Sequence, residues 1–248
     1  MRLLDLLYPK ALYCIACGRP LSNNKNALLC EACLDEVPWV GGRLCAKCGK
    51  PLAEENTKAL CRDCAGTEHL YRRGFACARY AGLGADLVRD MKYRGKAWYA
   101  EGLSAFMARR YLALADPESG ELPDYDYVVP APMARRKRER RGYDQAVLLA
   151  RGLAGRIHVP CSPGALVRSG ETQVMSSLGR DARLRNLSGA IRAAEGSGVA
   201  GKRILLVDDV YTTGATADAC AGALRAAGAE AVDIFTFATG ADGRRAGG

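Results

Sequence analysis

The sequence predicts an α/β fold, a largely parallel sheet flanked by helices, with a small cysteine-rich module at its N-terminal end. Strand-like and helical segments alternate from residue 75 to residue 237, which is typical of parallel strands joined by helical crossovers. Eight of the eleven cysteines lie within the first 64 residues as four C-x-x-C pairs. We therefore expect a cysteine-rich module over 1–68, an α/β domain over 69–240 and a flexible tail over 241–248.

Each predicted element has its own signal in the sequence. Residues 75–82 alternate as a half-buried strand does, and Val-rich or wholly apolar runs predict further strands at 125–129, 204–207 and 231–237. Apolar residues at helical spacing predict helices at 86–114, interrupted near Tyr93–Lys96, and at 145–156 and 217–227. Residues 169–201 form a polar stretch without such a pattern, and residues 1–8 have the spacing of a short amphipathic helix.

The four C-x-x-C pairs belong to a tandem repeat. Residues 14–21 (CIACGRPL) and 45–52 (CAKCGKPL) are near copies with a period of 31 residues. Each copy, together with the pair that comes twelve residues later, supplies the four thiolates of a closed structural zinc site. We expect about two structural zinc ions, held by Cys14, Cys17, Cys30, Cys33, Cys45, Cys48, Cys61 and Cys64.

Disulfides are the competing interpretation of these pairs. Adjacent C-x-x-C pairs rarely form good structural bridges, and the first residues do not have the pattern of a secretory signal. A module of about sixty residues buries too little apolar surface to fold alone, so the metal is expected to supply the folding free energy. The sequence leaves one alternative open, a cross-brace in which alternate pairs share a metal.

Composition and charge indicate which kinds of partner and location to expect for this protein. The net charge of +9 favours phosphorylated partners without identifying one. No apolar run approaches the roughly 20 residues that a membrane-spanning helix needs, so we expect a soluble, cytoplasmic protein without membrane insertion. His69 and His158 lie outside every motif, and no catalytic role is expected for either.

The segment 204–217 (ILLVDDVYTTGATA) is the most specific motif in the chain. Two carboxylates follow a predicted buried strand, at the sheet edge where open α/β sheets bind ligands. The turn after them offers backbone N–H groups and a helix N-terminus, which suit a phosphate, whereas carboxylates suit vicinal hydroxyls. A sugar phosphate fits both, although a strand–turn–helix without a ligand has the same local pattern.

This motif resembles the 5-phosphoribosyl 1-diphosphate (PRPP) motif of type I phosphoribosyltransferases. The resemblance implies a phosphoribosyltransferase-like sheet and magnesium that arrives with PRPP. The implied catalytic residues are Asp208 and Asp209. The implied PRPP-binding residues are Asp208, Asp209, Thr212, Thr213, Gly214, Ala215 and Thr216.

A second candidate phosphate-binding feature, the arginine-rich run 135–141, comes after the strand predicted at 125–129. At the same sheet edge it would hold the diphosphate of PRPP, because cations stabilise the charge that develops on a leaving group. The run could equally contact a nucleic-acid backbone, or form a solvated basic loop. Only Tyr143 supplies an aromatic ring close by in sequence. The predicted diphosphate-binding residues are Ala131, Pro132, Arg135 and Arg136.

Over residues 1–239 the order of motifs resembles the ComF family of competence-associated, phosphoribosyltransferase-like proteins. The zinc repeats are followed by MKYRG at 91–95, VPAP and RGYDQ within 129–145, and the motif at 204–217. The family usually has asparagine where this chain has Asp144. By the same resemblance, Arg168, Thr172 and Gln173 belong to a flexible loop that closes over PRPP.

The resemblance implies two classes of function. In the first, the protein is a phosphoribosyltransferase that displaces diphosphate from PRPP with a nitrogen nucleophile, in DNA uptake during natural transformation or in nucleotide-related metabolism. In the second, it is a non-catalytic zinc protein that binds single-stranded DNA or acts as an adaptor, and keeps the PRPP pocket as a sensor or relic. Competence and recombination proteins are the partners that the resemblance implies.

Overall fold

The structure, a computed structural model, describes residues 13–21, 28–116, 118–169 and 189–242. The strands, numbered along the chain, are β1 (Gly74–Arg79), β2 (Tyr127–Pro130), β3 (Leu166–Arg168), β4 (Ile191–Ala193), β5 (Arg203–Tyr211) and β6 (Ala231–Thr239). The helices are α1 (Glu31–Glu36), α2 (Arg62–Ala65), α3 (Gly82–Tyr93), α4 (Tyr99–Leu112), α5 (Arg135–Arg141), α6 (Gln145–Ile157) and α7 (Ala215–Ala226).

Four of the strands form one parallel sheet in the order β1-β6-β5-β2. The expected α/β architecture with a largely parallel sheet is therefore confirmed. Because the strands are parallel, their carboxyl ends meet at one edge, and the segments after β2 and β5 emerge side by side. Strands β3 and β4 form a separate antiparallel pair.

The sheet separates two hydrophobic cores, and the strand β5 shows why. Successive side chains of a strand point to opposite faces. Leu205 and Val207 accordingly pack with α3, α4 and α6, whereas Ile204 and Leu206 pack with α7. Each cysteine cluster joins a different core: Cys14 and Cys33 join the first, and the set Cys45, Cys48, Cys61 and Cys64 joins the second.

Several boundaries differ from the sequence predictions. The strand β5 runs to Tyr211, so both acids lie inside the strand and not just beyond it. The arginine-rich run forms the helix α5, because its long side chains have good helix propensity and Gly142, at φ +78°, ends it in the left-handed conformation. The interruption predicted near Tyr93–Lys96 is present between α3 and α4.

Two further points concern the sequence predictions for the ends and for membranes. The carboxylate of Asp242, which lies in the predicted tail, accepts hydrogen bonds from Arg62 N at 2.9 Å and Asn56 Nδ2 at 2.7 Å. The second residue of the predicted tail therefore contacts the cysteine-rich module. Across the described ranges, no helix has the length and apolar character needed to cross a membrane.

Candidate functional site

The cysteines form two clusters of four in which consecutive pairs come together. The sulfurs of each cluster lie within 4.8 Å of one another, and the clusters are Cys14/Cys17/Cys30/Cys33 and Cys45/Cys48/Cys61/Cys64. A cross-brace, the alternative left open by the sequence, is therefore not the arrangement adopted. We call them the first and second zinc sites.

The sulfur spacing fits zinc and not a disulfide. Four thiolates about 2.3 Å from a tetrahedral zinc lie about 3.8 Å apart, whereas disulfide sulfurs lie about 2.05 Å apart. The Sγ–Sγ distances are 3.7 Å for Cys17 and Cys30 and 3.6 Å for Cys48 and Cys61. Four thiolates per site leave no open coordination position, so both sites have the donor set of structural zinc.

The segment 212–216 between β5 and α7, here the phosphate turn, has the geometry expected of an anion site. Gly214 is left-handed at φ +83° and immediately precedes the first helical residue, Ala215. A Cβ at position 214 would lie 2.5 Å from Tyr211 Oη, so only glycine fits without displacing that ring. The N-terminus of α7, where backbone N–H groups lack helical partners, consequently opens at the carboxyl edge of the sheet.

A cavity of about 200 Å³ lies at this edge. The whole phosphate turn and Asp208 line it, together with apolar and hydroxyl groups from β2, β5 and β6. The remaining lining residues are Ala131, Leu206, Val210, Tyr211, Ala217, Ile234 and Thr236. The cavity therefore brings together one carboxylate and the backbone and hydroxyl groups of the phosphate turn.

The two adjacent acids make different contacts. Asp208 lines the cavity, and its Oδ1 accepts a hydrogen bond from Asp209 N at 2.8 Å. Asp209 is buried and its Oδ1 pairs with Nζ of Lys92, from α3, at 2.8 Å. Its Oδ2 is also buried and accepts no hydrogen bond from the described part of the chain. The acids therefore divide between the ligand cavity and a buried ion pair.

Electrostatics distinguish these groups further. Burial, with repulsion from Asp209, raises the pKa of Asp208 to about 7, although Lys92 opposes the shift. Burial acts to lower the pKa of Lys92, but the attraction of Asp209 and Asp208 outweighs it, so the net shift is upward. The pKa of Lys92 is therefore raised by the acids that it faces, whereas the pKa of Asp208 lies at about 7.

Several cations from α3, α5 and β3 interact electrostatically with one another, although none of them lines the cavity itself. Partial burial lowers the pKa of Lys137, and repulsion from Arg168, Arg141, Lys92 and Arg140 adds to the shift. Burial likewise lowers the pKa of Arg168, while attraction to Cys220 and Asp208 opposes it. We call Lys92, Lys137, Arg141 and Arg168 the cationic cluster. Such mutual repulsion, with a carboxylate in range, is the electrostatic signature of an anion site.

The other predicted site residues lie in different places. Ala131 lines the cavity, whereas Arg135 is exposed on α5 and pairs with Glu139 at 2.7 Å. Pro132 is next to Ala131 in the chain, and Arg136 is an exposed residue of the same helix as Arg135. Arg168 lies on β3, beside the cavity. Thr172 and Gln173 lie outside the described residues.

Asp144, where the family usually has asparagine, caps the helix α6. Its carboxylate accepts a hydrogen bond from Val147 N at 3.3 Å, and burial raises its pKa. Asparagine and aspartate both accept such a bond through a side-chain oxygen, so the replacement preserves the cap.

Sequence reasoning missed three residues at this site. Lys92 belongs to the MKYRG segment, but only the fold brings it to Asp209. Tyr93 lies under the guanidinium of Arg141, with 5.0 Å between the guanidinium carbon and the ring centroid, although the two are distant in sequence. His69, for which no role was expected, is buried, with its Nδ1 2.8 Å from Asp218 Oδ2 on α7.

Two families match this chain. The family described as a double zinc ribbon domain matches residues 3–65, and the phosphoribosyl transferase domain matches residues 144–246. Among curated proteins, DNA utilization protein YhgH of Escherichia coli K12 is 30% identical over 165 residues, which are 66% of this chain and 71% of the relative. Competence protein ComFC of Bacillus subtilis is 32% identical, over 68% of this chain and 65% of the relative.

Solved structures that match part of this chain include an amidotransferase and a phosphoribosyltransferase. Glutamine PRPP amidotransferase from Bacillus subtilis is 24% identical with a TM-score of 0.36, and the match covers 54% of this chain and 25% of that one. Adenine phosphoribosyltransferase from Leishmania tarentolae is 20% identical with a TM-score of 0.36, over 59% and 60%.

Proposed function

The chain belongs to the ComF family, and on that premise we propose that it binds PRPP in the cavity between β5 and α7. The observation that carries this proposal is the meeting of Asp208 and the phosphate turn in one cavity of about 200 Å³. Carboxylate oxygens accept hydrogen bonds from ribose hydroxyls, and the N–H groups of the turn donate to the oxygens of a 5′-phosphate. Magnesium would arrive with PRPP and would neutralise part of the charge of its phosphates.

The diphosphate of PRPP is assigned to the cationic cluster. Lys137 of α5 interacts electrostatically with Lys92, Arg141 and Arg168, and Arg168 interacts with Asp208. The Arg135 guanidinium pairs instead with Glu139. Converging cations match the negative charge that accumulates on a departing diphosphate. The assignment therefore keeps Ala131 at the cavity and adds these side chains to Arg136, while Arg135 has Glu139 as its partner.

The reaction that fits this arrangement is phosphoribosyl transfer. A nitrogen nucleophile forms a bond to the anomeric carbon as the carbon–oxygen bond to diphosphate breaks. The diphosphate leaves with the bonding electron pair, and the nitrogen then releases its proton to water. Asp208 orients the ribose, the phosphate turn fixes its 5′ end, and the cationic cluster stabilises the leaving group. The pair Lys92–Asp209 positions the backbone next to Asp208.

Replacing Asp208 with asparagine tests the PRPP assignment. We expect affinity for Mg-PRPP at pH 8 to fall about tenfold or more, because hydrogen bonds to a charged group contribute about 1.5–3 kcal/mol. Wild-type affinity should also decline as the pH falls through about 7, where Asp208 takes up a proton, whereas the variant should lack this component. Calorimetric titration of both proteins with PRPP, and with ribose 5-phosphate for comparison, measures the difference.

The same variant carries an internal control for folding. The pKa of Asp208 is higher in the folded protein than in the unfolded chain, so the protonated carboxyl group stabilises the fold at low pH. This stability is lost as the pH rises through about 7. Asp208→Asn should therefore be more stable than wild type at pH 8, by up to about 4 kcal/mol. Unchanged PRPP affinity in this well-folded variant would refute the ribose assignment.

A second candidate function, binding of single-stranded DNA, is favoured by one specific observation. The ring of Tyr93 is 65% exposed and lies beside the guanidinium of Arg141, so the arginine-rich helix does have an aromatic neighbour that the sequence did not indicate. Trp98, 57% exposed, lies in the connection to α4. Exposed rings among cations bind single strands by stacking and phosphate contacts. The relatives' names, DNA utilization and competence proteins, agree with such a role.

Two variants separate stacking from charge in DNA binding. Tyr93→Ala should weaken binding of a single-stranded oligonucleotide by about 1–3 kcal/mol and leave the salt dependence unchanged. Replacing Arg135, Arg136, Lys137 and Arg138 with alanine should instead flatten the slope of log affinity against log salt by about 0.7 for each phosphate that is no longer neutralised. Tyr13→Ala, which removes a similarly exposed ring from the first zinc module, is the matched control. Equal losses for Tyr93→Ala and Tyr13→Ala would exclude this stacking site.

A further inference from the structure

The second zinc site lies directly behind the phosphate turn, and His69 connects the two. Its Nε2 lies 3.3 Å from the zinc ligand Cys64 Sγ, and its Nδ1 lies 2.8 Å from Asp218 Oδ2. The side chains of His69 and Asp218 are 0% and 1% exposed. A buried residue that contacts both a metal ligand and a second polar group has the position of an outer-shell group, which orients the groups that it touches.

Asp218 extends this connection to the phosphate turn. It lies in the first turn of α7, and its backbone N donates to Gly214 O at 2.8 Å. Its Oδ1 accepts a hydrogen bond from Leu70 N at 3.0 Å, so both carboxylate oxygens contact the segment just after the zinc module. The residue therefore joins the phosphate turn to the zinc module through its backbone and its side chain together.

The rings of His69 and Tyr211 also determine the shape of the turn. A Cβ on Gly214 would lie 3.0 Å from His69 Cε1, so the imidazole packs against the residue whose left-handed conformation opens the turn. Tyr211, at the end of β5, hydrogen-bonds through its hydroxyl to Tyr71, two residues after His69, at 2.7 Å. Movement of the second zinc module would consequently move both ends of the phosphate turn.

The first zinc site provides a contrast within the same chain. Cys14 and Cys33 pack in the core on the opposite face of the sheet, with α3 and α4. Tyr99, on α4, donates a hydrogen bond from its hydroxyl to Ile15 O, which anchors that module to the helices. The second site alone shares its core with α7 and Tyr211.

We propose that His69 is a positioning residue through which the second zinc site holds the phosphate turn in its anion-binding geometry. The functional consequence rests on the proposed binding of PRPP: a phosphorylated ligand in the turn and zinc in the second site stabilise each other, and by linkage the effect is the same in both directions. The first zinc site has no part in this coupling.

Amide hydrogen exchange of zinc-loaded protein without ligand tests the proposal. His69→Asn should accelerate exchange in residues 212–218 about fivefold or more, which is the lower end of typical coupling free energies. His158→Asn is the matched control, since His158 is at the end of α6 in a left-handed conformation, φ 56°, that asparagine tolerates. Asp218→Asn, which keeps an acceptor for Leu70 N, is the second variant should His69→Asn fold poorly.

Cadmium substitution gives a spectroscopic readout that a general structural role would not move. With cadmium-113 in both sites, His69→Asn should shift the resonance of the second site alone, and PRPP should shift that same resonance in wild type. Unchanged exchange at 212–218, or equal acceleration throughout the chain, would overturn the positioning role. Faster exchange at the turn combined with no calorimetric binding of PRPP would uphold it and refute the proposed function.

Discussion

Replacing Lys92 with methionine is expected to lower the free energy of unfolding by about 3–5 kcal/mol, the usual cost of removing one partner from a buried ion pair. The side chains of Lys92 and Asp209 are 17% and 5% exposed, and their charged atoms are 2.8 Å apart. Without the ammonium, the carboxylate of Asp209 remains buried next to Asp208 with no opposing charge. Urea unfolding at pH 8, above the pKa of about 7 of Asp208, measures this loss.

Two comparisons make this prediction specific. Lys202→Met removes an ion pair with Asp126 whose side chains are 41% and 35% exposed, and such surface pairs contribute about 0–1 kcal/mol. Adding Asp209→Asn to Lys92→Met should recover most of the missing stability, because the unpaired buried charge is then gone. A loss for Lys92→Met no larger than that for Lys202→Met would show that the pair contributes nothing beyond a surface ion pair.

The difference between Lys92 and the two acids shows which site residues can be predicted from local sequence. The motif at 204–217 combines carboxylates, a turn and a helix start within fourteen residues, so local sequence is enough to predict a sugar-phosphate site there. Lys92 lies more than a hundred residues away, and nothing local marks it as different from other helix lysines. Only the packing of α3 beside β5 identifies its partner.

In the arginine-rich run 135–141, the sequence predicted the type of ligand but not which side chains would bind it. Its composition indicated anion binding, but the choice among its side chains depends on which face of α5 turns toward the cavity. Both Arg135 and Lys137 are exposed, but Arg135 pairs with Glu139, whereas Lys137 interacts electrostatically with Arg168 and Arg141. The sequence did not predict a helix at this position, so it offered no face on which to sort the residues.

The zinc modules were predictable because the cysteine pairs have a fixed spacing in the sequence. Paired cysteines at fixed spacing can close around a metal only in a few ways, and the chain takes the one in which consecutive pairs combine. The connection from the second module to the phosphate turn was not predictable in this way. His69 lies five residues after Cys64 and contacts Asp218, a residue 149 positions later, which becomes its neighbour only when α7 packs on the module.

Loss of the second zinc ion is expected to have the largest effect of any single change in this protein. Structural zinc in small modules contributes an apparent binding free energy of about 10–16 kcal/mol, which exceeds the stability of most domains. Cys61→Ser removes a fully buried ligand of the second site, in the core that also contains Tyr211 and Ala215. We expect zinc content to fall from about two ions per chain to about one, with loss of PRPP binding.

The matched variant is Cys17→Ser, which removes an exposed ligand of the first site. It should also reduce zinc to about one ion per chain but retain PRPP binding, because the first site packs on the opposite face of the sheet from the phosphate turn. Elemental analysis, thiol titration and calorimetry on freshly purified, reduced protein distinguish the outcomes. Zinc near zero in wild type would refute metal binding. Equal loss of PRPP affinity in both variants would refute the proposal that only the second zinc site supports PRPP binding.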